Sequence, residues 1–183
     1  GADALHGADG EWRVEQQRLS WELLETFREA AAQSGIPNTD DFNRGDNEGC
    51  GYFDVNQKRG VRWNASKAFL HPSIKRPNLR VITKAQVKKL RVESKRVIGV
   101  EFFQGNDLHF AAANIETVLA AGAIGSPQIL QLSGIGPAAL LQQHGIPVAH
   151  DLAGVGENLQ DHLQLRMIYK VKNVRTLNTI ANS

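Results

Sequence analysis

A mixed α/β fold, helices and strands in an α+β mixture, is what this sequence predicts, and three stretches carry the prediction. One is Asn114 to Gly136, NIETVLAAGAIGSPQILQLSGIG, where an apolar β-forming run breaks at Gly122 and passes into a helix start. A second is a set of short runs of Val, Ile, Leu and Phe between Leu79 and Ala112, parted by polar or glycine-bearing breaks, which reads as a β-meander. The third is an apolar stripe at helical spacing from Leu19 to Ala31.

In chain order, Gly1 to Arg13 is rich in glycine and aspartate and is expected to be loop. Leu19, Leu23, Leu24, Phe27, Ala30 and Ala31 share one helical face, which should turn to a core. Gly35 suits the position after the helix end and Pro37 blocks continuation. Trp12 and Trp21, on either side of the helix start, are packing residues. Pro37 to Gly60 is dense in Asn, Asp and Gly and reads as a long loop, with Tyr52 to Val55 as a short strand within it. Its acidic residues Asp40, Asp41, Asp46 and Glu48 lack the glycine and final glutamate of a calcium loop. Val61 to Leu70 suggests a short helix, begun near Asn64 or Ser66 and closed by Pro72.

The meander strands are expected at Leu79 to Thr83, Val87 to Glu93, Val97 to Phe103 and Leu108 to Ala112, with turns at Ser94-Lys95 and Gly105-Asn106-Asp107. Ile115 to Ala121 then reads as a buried parallel strand delivered onto the Gly122 turn. Ser126 would cap the following helix, with Pro127 in its first turn. Strand, glycine turn and helix N-terminus together form an anion cradle, because free amides and the helix dipole favour a phosphate. Pro137 to His144 is a second short helix, ended by Gly145 and Pro147. Leu163 to Val174 alternates loosely and is expected to be a departing strand.

With 183 residues the chain can bury one real core, but it is short for a two-domain enzyme with its own cofactor. A formal charge of +2 and 42% hydrophobic residues point to no nucleic-acid partner. No apolar run reaches the roughly twenty residues that cross a bilayer. Cys50 is the single cysteine, so no internal disulfide forms, and it reads as a packed or half-exposed thiol. The chain starts at Gly1 without methionine and stops at Ser183 in a polar stretch, and is expected to be a piece of a longer protein. Cytoplasm or the face of the inner membrane is the expected location.

Of the nucleotide and catalytic patterns, Gly134 to Ala139 matches G-x-G-x-x-A by letters only, since it follows a helix and not a strand. The six histidines show no metal-ligand spacing, so no metal is expected. No G-x-S-x-G elbow is present, and Ser126 and Ser133 read as helix caps. Asp161 and His162 could form a proton-handling pair, but neighbours on a strand point to opposite faces, which favours a structural polar network.

Read as Gly122-Ala123, Ser126-Pro127, Ile129-Leu130 and Ser133-Gly134-Ile135-Gly136, the organising stretch resembles the second signature of the glucose-methanol-choline (GMC) family of flavin-dependent alcohol oxidoreductases. Gly154-Val155-Gly156-Glu157-Asn158-Leu159-Gln160-Asp161-His162 resembles a further segment of that family. So do Asp40-Asp41-Phe42-Asn43, Gly60-Val61-Arg62 through Ser66-Lys67-Ala68-Phe69-Leu70, and Arg76-Pro77-Asn78-Leu79 leading to Ala85-Gln86-Val87.

The resemblance implies one FAD and oxidation of choline or another primary alcohol to the aldehyde, with an oxidase or a lyase as the alternative within the family. It implies a partial FAD/NAD(P)-binding domain over 71–162, a substrate-domain portion over 1–70, and a return toward the substrate domain over 163–183. Val87 matches the position whose backbone meets the adenine, and Ala121, Gly122 and Ala123 match the turn beside the ADP part. Asn158, Asp161 and His162 match the crossing between domains. The family's first dinucleotide fingerprint and its catalytic histidine would lie outside this chain, so no catalytic residue is assigned. Two rival readings stand beside this one: a non-catalytic structural or interaction fragment, self-associating through exposed edges, and a binder of free ADP-like nucleotides.

Overall fold

The computed structural model describes residues 2–180. Gly1, read with the opening loop, and 181–183, read with the returning tail, lie outside the described residues. The chain separates into two compact units, Gly1–Arg80 with Met167–Ser183, and Val81–Arg166.

In the first unit, α1 (Glu22–Gln33) begins after Trp21 with Glu22 and Glu25 in its first turn, where their charge complements the helix dipole. It ends on Gly35 at φ +87°, with the Ile36 and Gly35 amides bonded to the Ala31 and Ala32 carbonyls. This satisfies the last carbonyls, and Pro37 follows as expected. The apolar stripe is not turned to a core: only Ala31 is buried, while Leu19, Leu24 and Phe27 are exposed. Trp12 packs as read, stacking on Phe69 at 5.9 Å.

β1 (Gln57–Lys58) and β2 (Val61–Arg62) form a hairpin across Arg59 and Gly60, both at positive φ. Tyr52 to Val55 supplies only an isolated bridge from Val55 to Glu15, not a strand. The helix expected from Val61 begins later, as a π-helical turn (Ser66–Leu70) running into α2 (His71–Ser73). The Asn64 side chain accepts the Lys67 amide at its start. Pro72 sits inside α2 and does not close the helix, because the first turn needs no proline amide.

The second unit holds the meander, β3 (Ala85–Glu93), β4 (Arg96–Gln104) and β5 (Asp107–Ala112), antiparallel in that order. Ser94 and Lys95 turn the first hairpin, both at positive φ, and Gly105 opens the second at φ +64°. Leu79 to Thr83 forms no strand. A bulge between Val87 and Lys89 leaves Lys88 without an opposite residue on β4. Leu90, Phe102 and, from the helix packed on β3, Ile129 are buried.

Glu101 on β4 is buried and chelated by Arg91, whose Nη2 and Nε lie 2.6 and 3.0 Å from Oε1. The Arg91 hydrogen bond holds its carboxyl below the ordinary value of 4.5, against the opposing effect of burial. A carboxylate whose pKa is depressed on folding stabilises the fold fully above its unfolded pKa and loses that contribution as pH falls through the lower folded value. Stability of this unit is therefore expected to decline below pH 4.5. Arg91→Met should flatten that acid limb in urea titrations run from pH 6 to 3; an unchanged slope would contradict the pairing.

α3 (Gly122–Leu132) packs against β3, and β6 (Ile135–Gly136) follows. α4 (Ala138–Gln143) begins after Pro137 and ends on Gly145 at φ +67°, followed by Pro147, as the sequence predicts. β7 (His150–Asp151) pairs with β6 in parallel, and Asp151 Oδ1 accepts the Ala138 amide across the crossover. A four-residue turn, α5 (Leu177–Ile180), belongs to the first unit.

Two further expected strands are absent among the described residues. Ile115 to Ala121 forms no strand, with Ile115 86% and Val118 80% exposed. A strand exists only against a neighbour that takes its amides and carbonyls, and β6 with β7 is the one parallel pair of strands among the described residues, beside an isolated Asn38–Cys50 bridge. Leu163 to Val174 is likewise irregular and exposed.

Candidate functional site

The seven residues singled out by sequence all lie in the Val81–Arg166 unit, on three segments. Val87 is half-buried on β3, at the bulge and on a strand whose outer edge has no partner strand among the described residues. Ala121, Gly122 and Ala123 form the exposed start of α3. Asn158, Asp161 and His162 lie in the exposed, irregular stretch after β7, with Asn158 at φ +56°.

The helix starts five residues earlier than the Ser126-Pro127 pair suggests. Gly122 opens it at φ +82°, a conformation that side-chain-bearing residues adopt at a cost, and Pro127 sits in its interior. Ser126 reaches back instead of forward: its Oγ accepts the Ala121 amide at 3.1 Å. The first-turn amides of α3 are capped by no N-cap side chain and faced by no acid in the first turn. A methyl built on Gly122 meets no atom within 4 Å. This start of α3 is thus open in front, positive by its dipole, and free of a residue that would repel an anion.

Two residues that sequence reading passed over as ligand-site elements tie the other segments to the same helix. Ser133, read as a cap, does end α3, but its Oγ also accepts the Leu90 amide of β3 at 2.8 Å. Gln131 Nε2 donates to the Val155 carbonyl at 3.1 Å. The sequence signal was a glutamine between Leu130 and Leu132 in a last turn that is otherwise apolar. Asp161 and His162 do not couple through the imidazole: Asp161 Oδ1 accepts the His162 backbone amide at 2.8 Å. Among the described residues no cluster of His, Cys, Asp and Glu could hold a metal. Nor is any helix among the described residues long and apolar enough to cross a membrane.

In the first unit a cleft of about 660 Å³ is lined by Asp9, Glu11, Arg13, Lys58, Arg59 and Trp63 among others. It contains none of the seven residues.

An antiparallel meander packs against a helix with an open glycine start, and comparison with known proteins gives the chain a family. The model of the GMC oxidoreductase family matches residues 3–164, and the chain belongs to that family. An oxygen-dependent choline dehydrogenase of Photobacterium profundum is 45% identical over 157 residues, 86% of this chain and 28% of that protein. An alcohol dehydrogenase [acceptor] of Pseudomonas putida is 42% identical, over 89% of this chain and 30% of that protein. Among solved structures, an FAD-dependent oxidoreductase from Chaetomium thermophilum superposes with a TM-score of 0.82 at 33% identity, covering 87% of this chain and 28% of that one. The chain thus spans under a third of the length of these relatives.

Proposed function

We propose that this chain is the central part of an FAD-dependent alcohol dehydrogenase that oxidises choline or another primary alcohol to the aldehyde. The observation that carries the reading is the start of α3. Its open, positive-φ glycine and uncapped first-turn amides offer a diphosphate both room and hydrogen-bond donors. Membership of the GMC family and the named activities of the relatives support the choice of FAD and of an alcohol.

In this reading the Gly122 and Ala123 amides, with Ala121 before them, hold the ADP part of the cofactor. The backbone of Val87, beside the bulge on the outer edge of β3, meets the adenine edge, and Asn158, Asp161 and His162 lie where the chain leaves the cofactor domain. The chemistry that bound FAD supplies is acceptance of hydride from the carbinol carbon. No residue of this chain is assigned the hydroxyl proton. The division proposed is 1–70 for the substrate-facing portion, 71–162 for the cofactor domain and 163–183 for the return, supported by all seven residues falling within one compact unit.

The second reading concerns the 183 residues alone, as a piece without activity. The exposed side chains of Ile115 and Val118 and the unpaired outer edge of β5, all six of whose residues are exposed, favour it. Such edges promote self-association.

Titration of FAD into the purified 183-residue chain, followed by flavin fluorescence, tests both readings. No tight saturable binding, no alcohol turnover and a concentration-dependent rise in sedimentation coefficient are expected. A chain that stays yellow through gel filtration would overturn the second reading. A full-length protein that takes up no FAD would overturn the first.

A further inference from the structure

We propose that Ser133 and Gln131 are positioning residues for the cofactor site, joining the adenine-side strand and the Asn158 segment to the helix whose start faces the diphosphate; the proposal rests on the reading above. Ser133 is fully engaged. Its Oγ accepts the Leu90 amide at 2.8 Å and donates to the Ile129 carbonyl at 2.5 Å, so one hydroxyl bridges strand and helix with its donor and acceptor roles both set. Leu90 is buried at 6% exposure and lies on the outer edge of β3, where no strand takes its amide. Without the serine that buried donor would be orphaned. Val87 lies three residues back along the same strand, across the bulge that any shift of β3 would move first.

Gln131 acts on the other side. Its amide nitrogen holds the Val155 carbonyl, 24 residues away in the chain. Gly156 lets it approach, since a Cβ there would come 2.7 Å from Gln131 Nε2 and the residue already sits at φ +89°. Asn158, itself at positive φ, follows two residues later. Ser133 and Gln131 are two residues apart at the end of α3, and the segments they hold have no hydrogen-bonded strand pairing to each other. Both expected cofactor segments are therefore hydrogen-bonded to the same helix end.

The test uses the full-length protein and its Ser133→Ala, Ser133→Thr and Gln131→Leu variants. FAD, ADP and FMN affinities are measured by calorimetry, and melting temperature without ligand is recorded. FMN lacks the adenylate half, so the FAD-to-FMN affinity ratio reads the positioned part of the site. Ser133→Ala and Gln131→Leu are expected to weaken FAD and ADP about tenfold each while FMN changes little, and Ser133→Thr to restore most of the loss.

Hydrogen exchange of the unmodified protein gives a second measurement that needs no variant. Loading with FAD should slow exchange at the Leu90 amide at least tenfold, because coupling between site and link is reciprocal. Variants that melt earlier yet keep the FAD-to-FMN ratio would overturn the proposal, as would Leu90 exchange that ignores FAD. If the unmodified protein binds neither FAD nor ADP, the cofactor reading itself fails and this proposal falls with it.

Discussion

Replacing Gly122 by valine is expected to raise the FAD dissociation constant of the full-length protein at least about a hundredfold. Two physical effects add. A φ of +82° costs a side-chain-bearing residue roughly 1–2 kcal/mol, and more for a β-branched one, so the start of α3 would rotate to relieve it. The valine would also stand in the open space before the first turn, where a methyl now meets nothing within 4 Å. Because that space is empty of protein, the substitution should leave the packing of α3 on β3 intact, and the loss should appear in binding more than in folding. Gly122→Ala separates the effects, keeping the strain with less bulk, and should fall between. Calorimetric titration of the three proteins checks the order. Equal affinities would remove this helix start from the site.

The largest expected loss of stability is at Gly134. It sits at φ +82°, and a Cβ built there overlaps the Pro147 carbonyl oxygen and stands 3.0 Å from the Ala149 nitrogen, backbone atoms with little freedom to retreat. The Gly134 carbonyl also accepts the Ala149 and His150 amides at 2.8 and 3.0 Å, so relief of the clash breaks the bonds that bring β7 beside β6. Strain and overpacking together should cost Gly134→Ala about 4 kcal/mol. Urea denaturation followed by far-ultraviolet circular dichroism measures it. A loss under about 1 kcal/mol would mean that the β6 to β7 approach is looser than described.

The two positions mark what the sequence could and could not reveal. Three of the four expected meander strands were legible because their signals are local: short apolar runs and breaks at Ser94-Lys95 and Gly105-Asn106-Asp107 determine hairpins without distant partners. Helix ends were legible for the same reason, at Gly35 with Pro37 and Gly145 with Pro147. Ile115 to Ala121 misled because apolar β-formers report the tendency to join a sheet and not the presence of a neighbour. The stripe of α1 misled likewise, since periodicity marks a face that seeks burial while Phe27 and Leu24 remain exposed.

Within the candidate site, Gly122 was legible from its place between an apolar run and a helix. Its role as the first helical residue was not, because Ser126-Pro127 reads as a better start. The Ser133 and Gln131 links join residues 43 and 24 positions apart, and no local pattern encodes such a pairing.

The hairpins of the meander bear on the order of events along the folding route. Each of its two connections spans two residues, so strands meet after closing a very small loop, and little chain entropy is spent before native contacts form. The β6 to β7 pair must instead wait for α4 and its flanking turns to bring 135–136 to 150–151. The strand expected to meet the adenine would then exist before the segment that follows β7, and early amide protection confined to 85–112 would record that sequence. Cofactor capture becomes a late event, laid upon a scaffold that has already assembled.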